Sequence, residues 1–548
     1  MLSQLLTYAS TLGAAWLLYG LVSLIRHRLM IKNVPKPPWS PIYGHLKLMA
    51  DAMALFPENM HPHVIFTYLH KKYNLPEVWY LDTYPLGPTF LICASPGSAA
   101  HAVQTRNYGK HRIINDMITP MLGRDTLAVS NGARWRYLQQ LLAPLFRPSA
   151  ARSLMGAAGQ EMLILRDLIA EKSKTGEVFR MEDLVGNAIF EVTIRSLFGD
   201  RLGGQEKGGS YIMDAMRDPP EYMTVAARSY NPVTKWRMRR KALRRMRDSG
   251  DWIERRTLER YAQLKSDDGK VPECLVDAVL IDRIQAEETG AINTPPLPRD
   301  REWMEVWRSQ VRSLLFGGHG TATDTLCFTF MLLSLNPQVL SDLRAEHDRV
   351  VGPLAADALA MLRDEPHRPA AELEYTTAVL KETLRMYPIG LTVRYDDKDE
   401  DGGVMRYNGR TYPTTKEMLI VPPSYLLGFD EEVYPEPGKF FPDRWLEESS
   451  PYPPVDKNAF RAFELGPRAC PGREMAMDTM RALLLLTVRW FDFEVARDGE
   501  VTKPRDRPRV DWFDLDTKVG DLAWQELQME AKPREGMRMI ARRTDREL

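Results

Sequence analysis

Residues 463–472 read FELGPRACPG, a loop in which Gly466, Pro467, Pro471 and Gly472 surround a single cysteine, Cys470. The chain has only three others, Cys93, Cys274 and Cys327, far apart and in no CxxC or CxH pairing. Neither a disulfide framework nor a structural zinc site fits that spacing, so the 548 residues must fold on an apolar core. Cys470 is left with three roles: a buried inert thiol, a nucleophile, or the sole protein ligand of a cofactor that needs only one.

Composition shifts little along the chain, at 44% hydrophobic and 27% charged residues, and no repeat or low-complexity linker divides it. Lysine plus arginine balances aspartate plus glutamate at 73 each, so no global field favours nucleic acid, which is not expected as a partner. The start is the exception. Residues 1–25 carry no charged side chain and hold enough apolar residues to cross a bilayer, and Arg26, Arg28, Lys32 and Lys36 follow. A cleaved secretory signal puts its charge before a shorter apolar run, so this one reads as a retained anchor with the body on the cytosolic side. PKPPWSP (35–41), with four prolines, reads as a stiff spacer. The expected organisation is an anchor over 1–25, a basic flank and proline-rich hinge over 26–45, and one catalytic domain over 46–548.

Helical periodicity dominates the body, for example over 134–146, 160–172 and 251–264. Strand-like runs cluster at 78–93 and 404–422. The predicted fold class is mainly α with small β-sheets. KWRMRRKALRRMR (235–247) is the one strongly basic run, and reads as a solvated helix or a contact for anionic lipid headgroups.

Two further motifs bear on the cysteine. In SLLFGGHGTATDTLCFTF (313–330), Gly317, Gly318 and Gly320 interrupt an apolar helix at about 1 kcal/mol each relative to alanine. Glycines remove side chains where something flat must approach the backbone, and Thr321 offers a hydroxyl at the thinned point. KETLRMYP (381–388) puts Glu382 and Arg385 at i and i+3 on a helix. The same spacing recurs at Glu305/Arg308, Glu346/Arg349 and Glu494/Arg497, so an ordinary surface ion pair is the plain alternative. FFPDRW (440–445) adds Arg444, which could share a buried Glu382 carboxylate.

Taken together these segments resemble the cytochrome P-450 superfamily, the haem-thiolate monooxygenases. Phe463, Gly466, Arg468, Cys470 and Gly472 match the family's Phe-x-x-Gly-x-Arg-x-Cys-x-Gly loop at all five fixed positions. Glu382, Arg385 and Arg444 follow the family's order as structural residues. The resemblance implies a cytochrome P-450 fold behind one N-terminal transmembrane helix, with haem b (iron protoporphyrin IX) bound through Cys470 as axial iron ligand. It makes Phe463 a shield for the sulfur, and Arg468, Trp135 and Arg394 partners of the haem propionates. It further implies O2 as co-substrate, with Thr321 helping protons reach it. The net reaction is RH plus O2 plus two electrons and two protons, giving ROH and water. No flavin or dinucleotide fingerprint stands out, so the electrons are expected from NADPH through a separate membrane-bound cytochrome P-450 reductase, with cytochrome b5 as an allowed second donor.

Two positions depart from the family pattern. The acid that usually precedes the threonine is replaced by Gly320, and Asp324 is the sequence's candidate to replace it, with water relay as the alternative. The arginine usually found four residues after the tryptophan is Gln139, and Arg136 is the nearest substitute. The missing acid keeps a haem-thiolate isomerase, dehydratase or peroxygenase open as a second reading, and a non-catalytic haem sensor as a third. The expected substrate is a small lipophilic molecule, such as a terpenoid, polyketide, steroid or fatty acid, lined by residues of 106–124 and 213–223. A microsomal protein of the endoplasmic reticulum membrane, with some resemblance to fungal sequences of secondary metabolism, completes the expectation.

Overall fold

A 35-residue helix, Arg301–Leu335, forms the spine of the molecule, here seen in a computed structural model. The structure describes residues 2–152, 154–229, 231–266, 271–292, 295–352, 354–397, 402–448 and 450–546. Asp300 starts the spine by accepting the Trp303 N–H at 3.0 Å, and Asn336 ends it one residue before Pro337. From Ala322 to Leu333 every residue is buried, and Leu326, Phe328, Phe330, Met331 and Leu332 lose all exposure. Each such side chain contributes about 1.5–3 kcal/mol of burial. Helices Met181–Phe198, Glu374–Met386 and Arg473–Leu485 pack on this spine. The predicted helical stretches fall within Gly132–Leu142 and its 3-10 extension Ala143–Phe146, Met155–Thr175 and Pro232–Ser266.

Strands occupy the margins: β1 Val78–Asp82, β2 Thr89–Cys93, β3 Gly109–Lys110, β4 Phe179–Arg180, β5 Arg394–Tyr395, β6 Val404–Tyr407, β7 Arg410–Pro413, β8 Leu419–Val421, β9 Phe491–Val495, β10 Glu526–Gln528, β11 Glu530–Lys532 and β12 Arg538–Arg543. The largest sheet runs in the order β1-β2-β8-β5-β3, and the others are β4-β12-β9, β6-β7 and β10-β11. Both strand-like runs, 78–93 and 404–422, therefore hold strands, as predicted.

At the N-terminus a single helix, Leu2–Met30, continues past the uncharged run through Arg26 and Arg28. Among the described residues no single helix is long and apolar enough to cross a membrane. The residues that follow are not a detached basic flank and spacer. Arg28, 6% exposed, pairs with fully buried Asp82, which also accepts from Trp39 Nε1 at 3.1 Å. Lys36 Nζ donates to the Ile31 and Lys32 carbonyls at 2.8 and 2.6 Å, and Tyr80 N–H donates to Pro35 O at 2.9 Å. The proline segment is thus stitched to β1, because the unpaired edge of β1 and the Asp82 carboxylate supply partners that a free spacer would lack.

Candidate active site

The cysteine loop is a tight turn leading into helix Arg473–Leu485, whose N-cap is Gly472. Cys470 N–H donates to Phe463 O at 2.8 Å and Ala469 N–H to Gly466 O at 3.0 Å. Gly466 has φ +81°, and a Cβ there would lie 2.9 Å from Gln104 Cγ and 3.2 Å from Val103 O, so only glycine fits without strain. Phe463 lies half-buried against the main core. The Cys470 thiol is exposed, unlike Cys93, Cys274 and Cys327, which are buried. The loop still keeps enough water away to push the thiol upward, against the opposing pull of the Gly472 N–H and Arg473.

Beside this loop lies a group of cations. β3 pairs with β5 so that Lys110 stands opposite Arg394, which puts both side chains on one face. Arg468 donates to Ser130 O and Asn131 Oδ1, each at 2.9 Å, and stacks 4.7 Å from the Trp135 ring centroid. Asn131 Oδ1 also accepts the Lys110 N–H at 2.9 Å. Arg394 is 1% exposed, yet its Nε and Nη1 have no hydrogen-bond partner among the described residues. Burial, and then Arg468 and Arg461 working against Glu464, lower Arg394 to about 10. Burial and the same arginine neighbours, Arg394 and Arg468, bring Lys110 down to about 7, again against Glu464. Glu464 and Asp397 lie nearby, but among the described residues none of the three cations forms an ion pair, and the set suits a ligand carrying two carboxylates. Arg468 thus links Trp135, on which it stacks, with Arg394, which it helps to lower. Arg136 and Gln139 are both exposed, and the third cation of the group is Lys110, which sequence reasoning missed because the pairing of β3 with β5 is non-local.

Opposite the apolar core, the spine helix opens at its glycines. Gly317 and Gly318 are exposed, and a Cβ on Gly317 would meet nothing within 4 Å. Thr321 Oγ1 donates to Gly317 O at 2.8 Å, leaving its lone pairs to accept from the open side. An accessible thiol, an open helix face and unpartnered buried guanidinium atoms together fit a flat, dianionic, thiol-ligated group, which haem b is. Arg468, Arg394, Lys110 and Trp135 would hold its carboxylates, and Cys470 its iron.

Asp324 does not reach this opening as an isolated side chain. It is fully buried, neither carboxylate oxygen has a hydrogen-bond partner among the described residues, and Lys532 Nζ lies 4.0 Å from Oδ1. Burial pushes its carboxyl well above the usual range, against the Lys532 cation. Lys532 pairs with Glu182, and Glu530 on the same strand places Oε2 where a Gly320 side chain would begin, 2.6 Å from an ideal Cβ. Local sequence could not have revealed that Glu530, more than 200 residues downstream, comes here.

Glu382 lies on the far side of helix Glu374–Met386 from solvent and is fully buried. Arg385 reaches Oε2 and Oε1 at 2.9 and 2.8 Å, Arg444 Nε reaches Oε1 at 2.9 Å, Trp445 Nε1 reaches Oε2 at 3.0 Å, and the Phe441 N–H reaches Oε1 at 3.1 Å. Burial alone would raise this carboxyl, but the two arginines and the Phe441 N–H outweigh it and hold it below the usual carboxylate range. The other three Glu-x-x-Arg pairs behave differently. Glu305–Arg308 is a surface pair, Glu346 accepts from the Tyr375 and Thr376 N–H groups, and Glu494 pairs with Arg542.

The fold and the site define a helical haem-thiolate protein. A model of the cytochrome P450 family matches residues 34–513, and the chain belongs to that family. Its enzymes are oxidoreductases, the cytochrome P450 monooxygenases. Similar proteins include the cytochrome P450 monooxygenase acrF of Aspergillus aculeatus, 29% identical over 509 residues, covering 88% of this chain and 97% of the relative. The monooxygenase polC of Polytolypa hystricis is 26% identical over 506 residues, covering 87% and 84%. In three dimensions the chain matches the crystal structure of cytochrome P450DA heme domain with a TM-score of 0.69 at 19% identity, covering 93% of this chain and 97% of that one, a likeness of fold.

Proposed function

We propose that this chain inserts one oxygen atom from O2 into a small lipophilic substrate, using electrons passed from NADPH by a separate reductase. The observation that carries the reading is the accessible Cys470 thiol in a loop whose Arg468 neighbours Arg394, two of whose guanidinium nitrogens have no hydrogen-bond partner among the described residues. Bound haem supplies the activation of O2, and a thiolate ligand favours O–O cleavage. The chain's own residues do the rest. Arg394, Arg468 and Lys110 hold carboxylates, Gly317 leaves room over the helix, and Thr321 presents hydroxyl lone pairs there. Half-buried Ile118, Phe316, Met475 and Met529 pack on one core cluster while keeping part of their apolar surface exposed, which supports a lipophilic substrate. Met213, expected to line the pocket, is instead fully buried in that cluster, so the contribution of 213–223 is partly structural.

The uncharged run 1–25, with Leu12, Trp16, Leu17, Leu18 and Tyr19 exposed on its helix, supports attachment to the endoplasmic reticulum membrane with the catalytic domain in the cytosol. Fungal relatives support a place in secondary-metabolite synthesis. The test is a carbon monoxide difference spectrum of the reduced, haem-replete protein, followed by turnover with and without NADPH and reductase. A thiolate-type Soret band and reductase-dependent product are expected. A folded, haem-loaded protein without that band ends the proposal, and turnover that needs no electrons replaces it with an isomerase or dehydratase.

A further inference from the structure

Residue 320 is glycine in a chain position where an acid beside Thr321 would be useful, and the space its side chain would fill is taken by another carboxylate. An ideal Cβ on Gly320 would lie 2.6 Å from Glu530 Oε2 and 3.5 Å from Glu530 Cδ. We propose that Glu530 is the acid of this site, brought by the C-terminal β10-β11 hairpin to the turn of helix that carries Thr321, and that Gly320 is glycine to admit it. The proposal rests on the monooxygenase reading and adds to it a residue from outside the spine helix.

The hairpin is held firmly enough to present one side chain. Gln528 pairs with Glu530 across Met529, whose φ is 66°. The Ala531 N–H donates to Ile389 O at 3.0 Å, the Leu527 N–H to Asn59 O at 2.8 Å, and Gln525 Nε2 to Pro388 O and Ala531 O, both at 3.1 Å. Lys532 on its own strand, Glu182 on Met181–Phe198 and Asp324 on the spine act on the acid directly, His319 on the spine faces Lys532, Glu182 and Arg217 of Tyr211–Arg228, and Arg228 of that helix donates to the hairpin at Leu527 O. Lys532 and Glu182 form an ion pair, and Glu182 Oε2 accepts from Arg180 at 3.0 Å, which is half exposed. Burial, opposed by Lys532 and assisted by Glu182, pushes Glu530 up to about 7, so it can both hold and release a proton near neutrality. Asp324 is fully buried and makes no hydrogen bond among the described residues, whereas Glu530 is only half-buried.

In the proposed step the Thr321 hydroxyl turns from Gly317 O, gives its proton to the oxygen being reduced and takes one from Glu530. Thr321 is unchanged, and Glu530 is left as carboxylate until a proton from solvent restores it. The two electrons come from NADPH, and the two protons account for the water released with the oxygenated product. Glu530 acts through Thr321, so it is a positioning and relay residue.

The test needs no substrate. NADPH oxidation by the full-length haem protein with reductase is followed across pH in Glu530→Gln, Glu530→Asp, Gly320→Ala and the double variant Gly320→Asp/Glu530→Ala. Wild type should slow as pH rises through about 7, where Glu530 loses its proton. Glu530→Gln should be about 100-fold slower and lose that pH limb, the lower end of what a general acid contributes. Gly320→Ala, whose Cβ pushes the carboxylate aside, should resemble it, and Glu530→Asp and the double variant should recover much of the rate. Independently of turnover, infrared difference spectra should show a protonated-carboxyl band that titrates in wild type and vanishes in Glu530→Gln. Unchanged rate and pH profile in Glu530→Gln, no such band, or a loss of haem and of the carbon monoxide spectrum in that variant would each overturn the proposal. If wild type itself lacks the thiolate spectrum, the monooxygenase reading has failed instead.

Discussion

Arg444 Nε and Glu382 Oε1 meet at 2.9 Å although 62 residues separate them, and both side chains are almost wholly removed from water. The remaining Arg444 N–H groups are satisfied by Pro435 O and Glu436 O at 3.1 and 3.4 Å. The pair thus ties the segment leading to the cysteine loop onto helix Glu374–Met386, which packs directly on the spine and on helix Arg473–Leu485.

Replacing Glu382 with alanine leaves two desolvated guanidinium groups. The expected cost is about 3–5 kcal/mol. Urea unfolding of the variant should show it, with loss of haem during purification as the accompanying sign.

Arg394→Ala or Arg468→Ala should weaken haem retention by roughly 2 kcal/mol each, the scale of one charged hydrogen bond, which is about 30-fold in affinity. Transfer of haem to apomyoglobin measures the change. Lys110 adds a pH dependence. Its protein-bound pKa is lowered to about 7, so the haem-free protein carries it neutral above that pH and must take up a proton to pair with a carboxylate. Haem affinity should therefore fall as pH rises through about 7, by at most about tenfold per unit. Lys110→Met should abolish that slope.

Gly466→Ala forces a left-handed backbone at φ +81° on a residue with a Cβ and presses it against Gln104 and Val103. A loss of about 1–3 kcal/mol is expected. Thermal unfolding would show it, and glycine at 472, whose φ is not positive, should tolerate alanine better.

Asp82 anchors the end of the N-terminal helix. Burial would raise its carboxyl, but His27, Trp39 and Arg28 outweigh that and lower it from 3.8 to about 2. A depressed folded pKa gives stability that is present above the unfolded value and is lost as pH falls through about 2. Asp82→Ala strands buried Arg28, and about 3 kcal/mol should be lost locally. Limited proteolysis near residues 30–36 is expected to accelerate, and unchanged cleavage would refute the anchoring role.

Much of this was legible along the chain because it depends on neighbours in sequence. The turn at Gly466, the i,i+3 contact of Glu382 with Arg385, the glycine-thinned stretch of the spine helix and the strand-forming runs of β1 and β2 all follow from local geometry and residue type. Sequence spacing could not separate Glu382/Arg385 from three other pairs with the same pattern, since burial and the arrival of Arg444 decide it. Nor could it foresee Arg28 turning inward to Asp82, Lys110 standing across from Arg394, or Glu530 filling the place left by Gly320. Each of those contacts joins residues far apart in the chain. Their energies come from charges and strands that become neighbours only when the core closes, so only the tertiary structure could decide them.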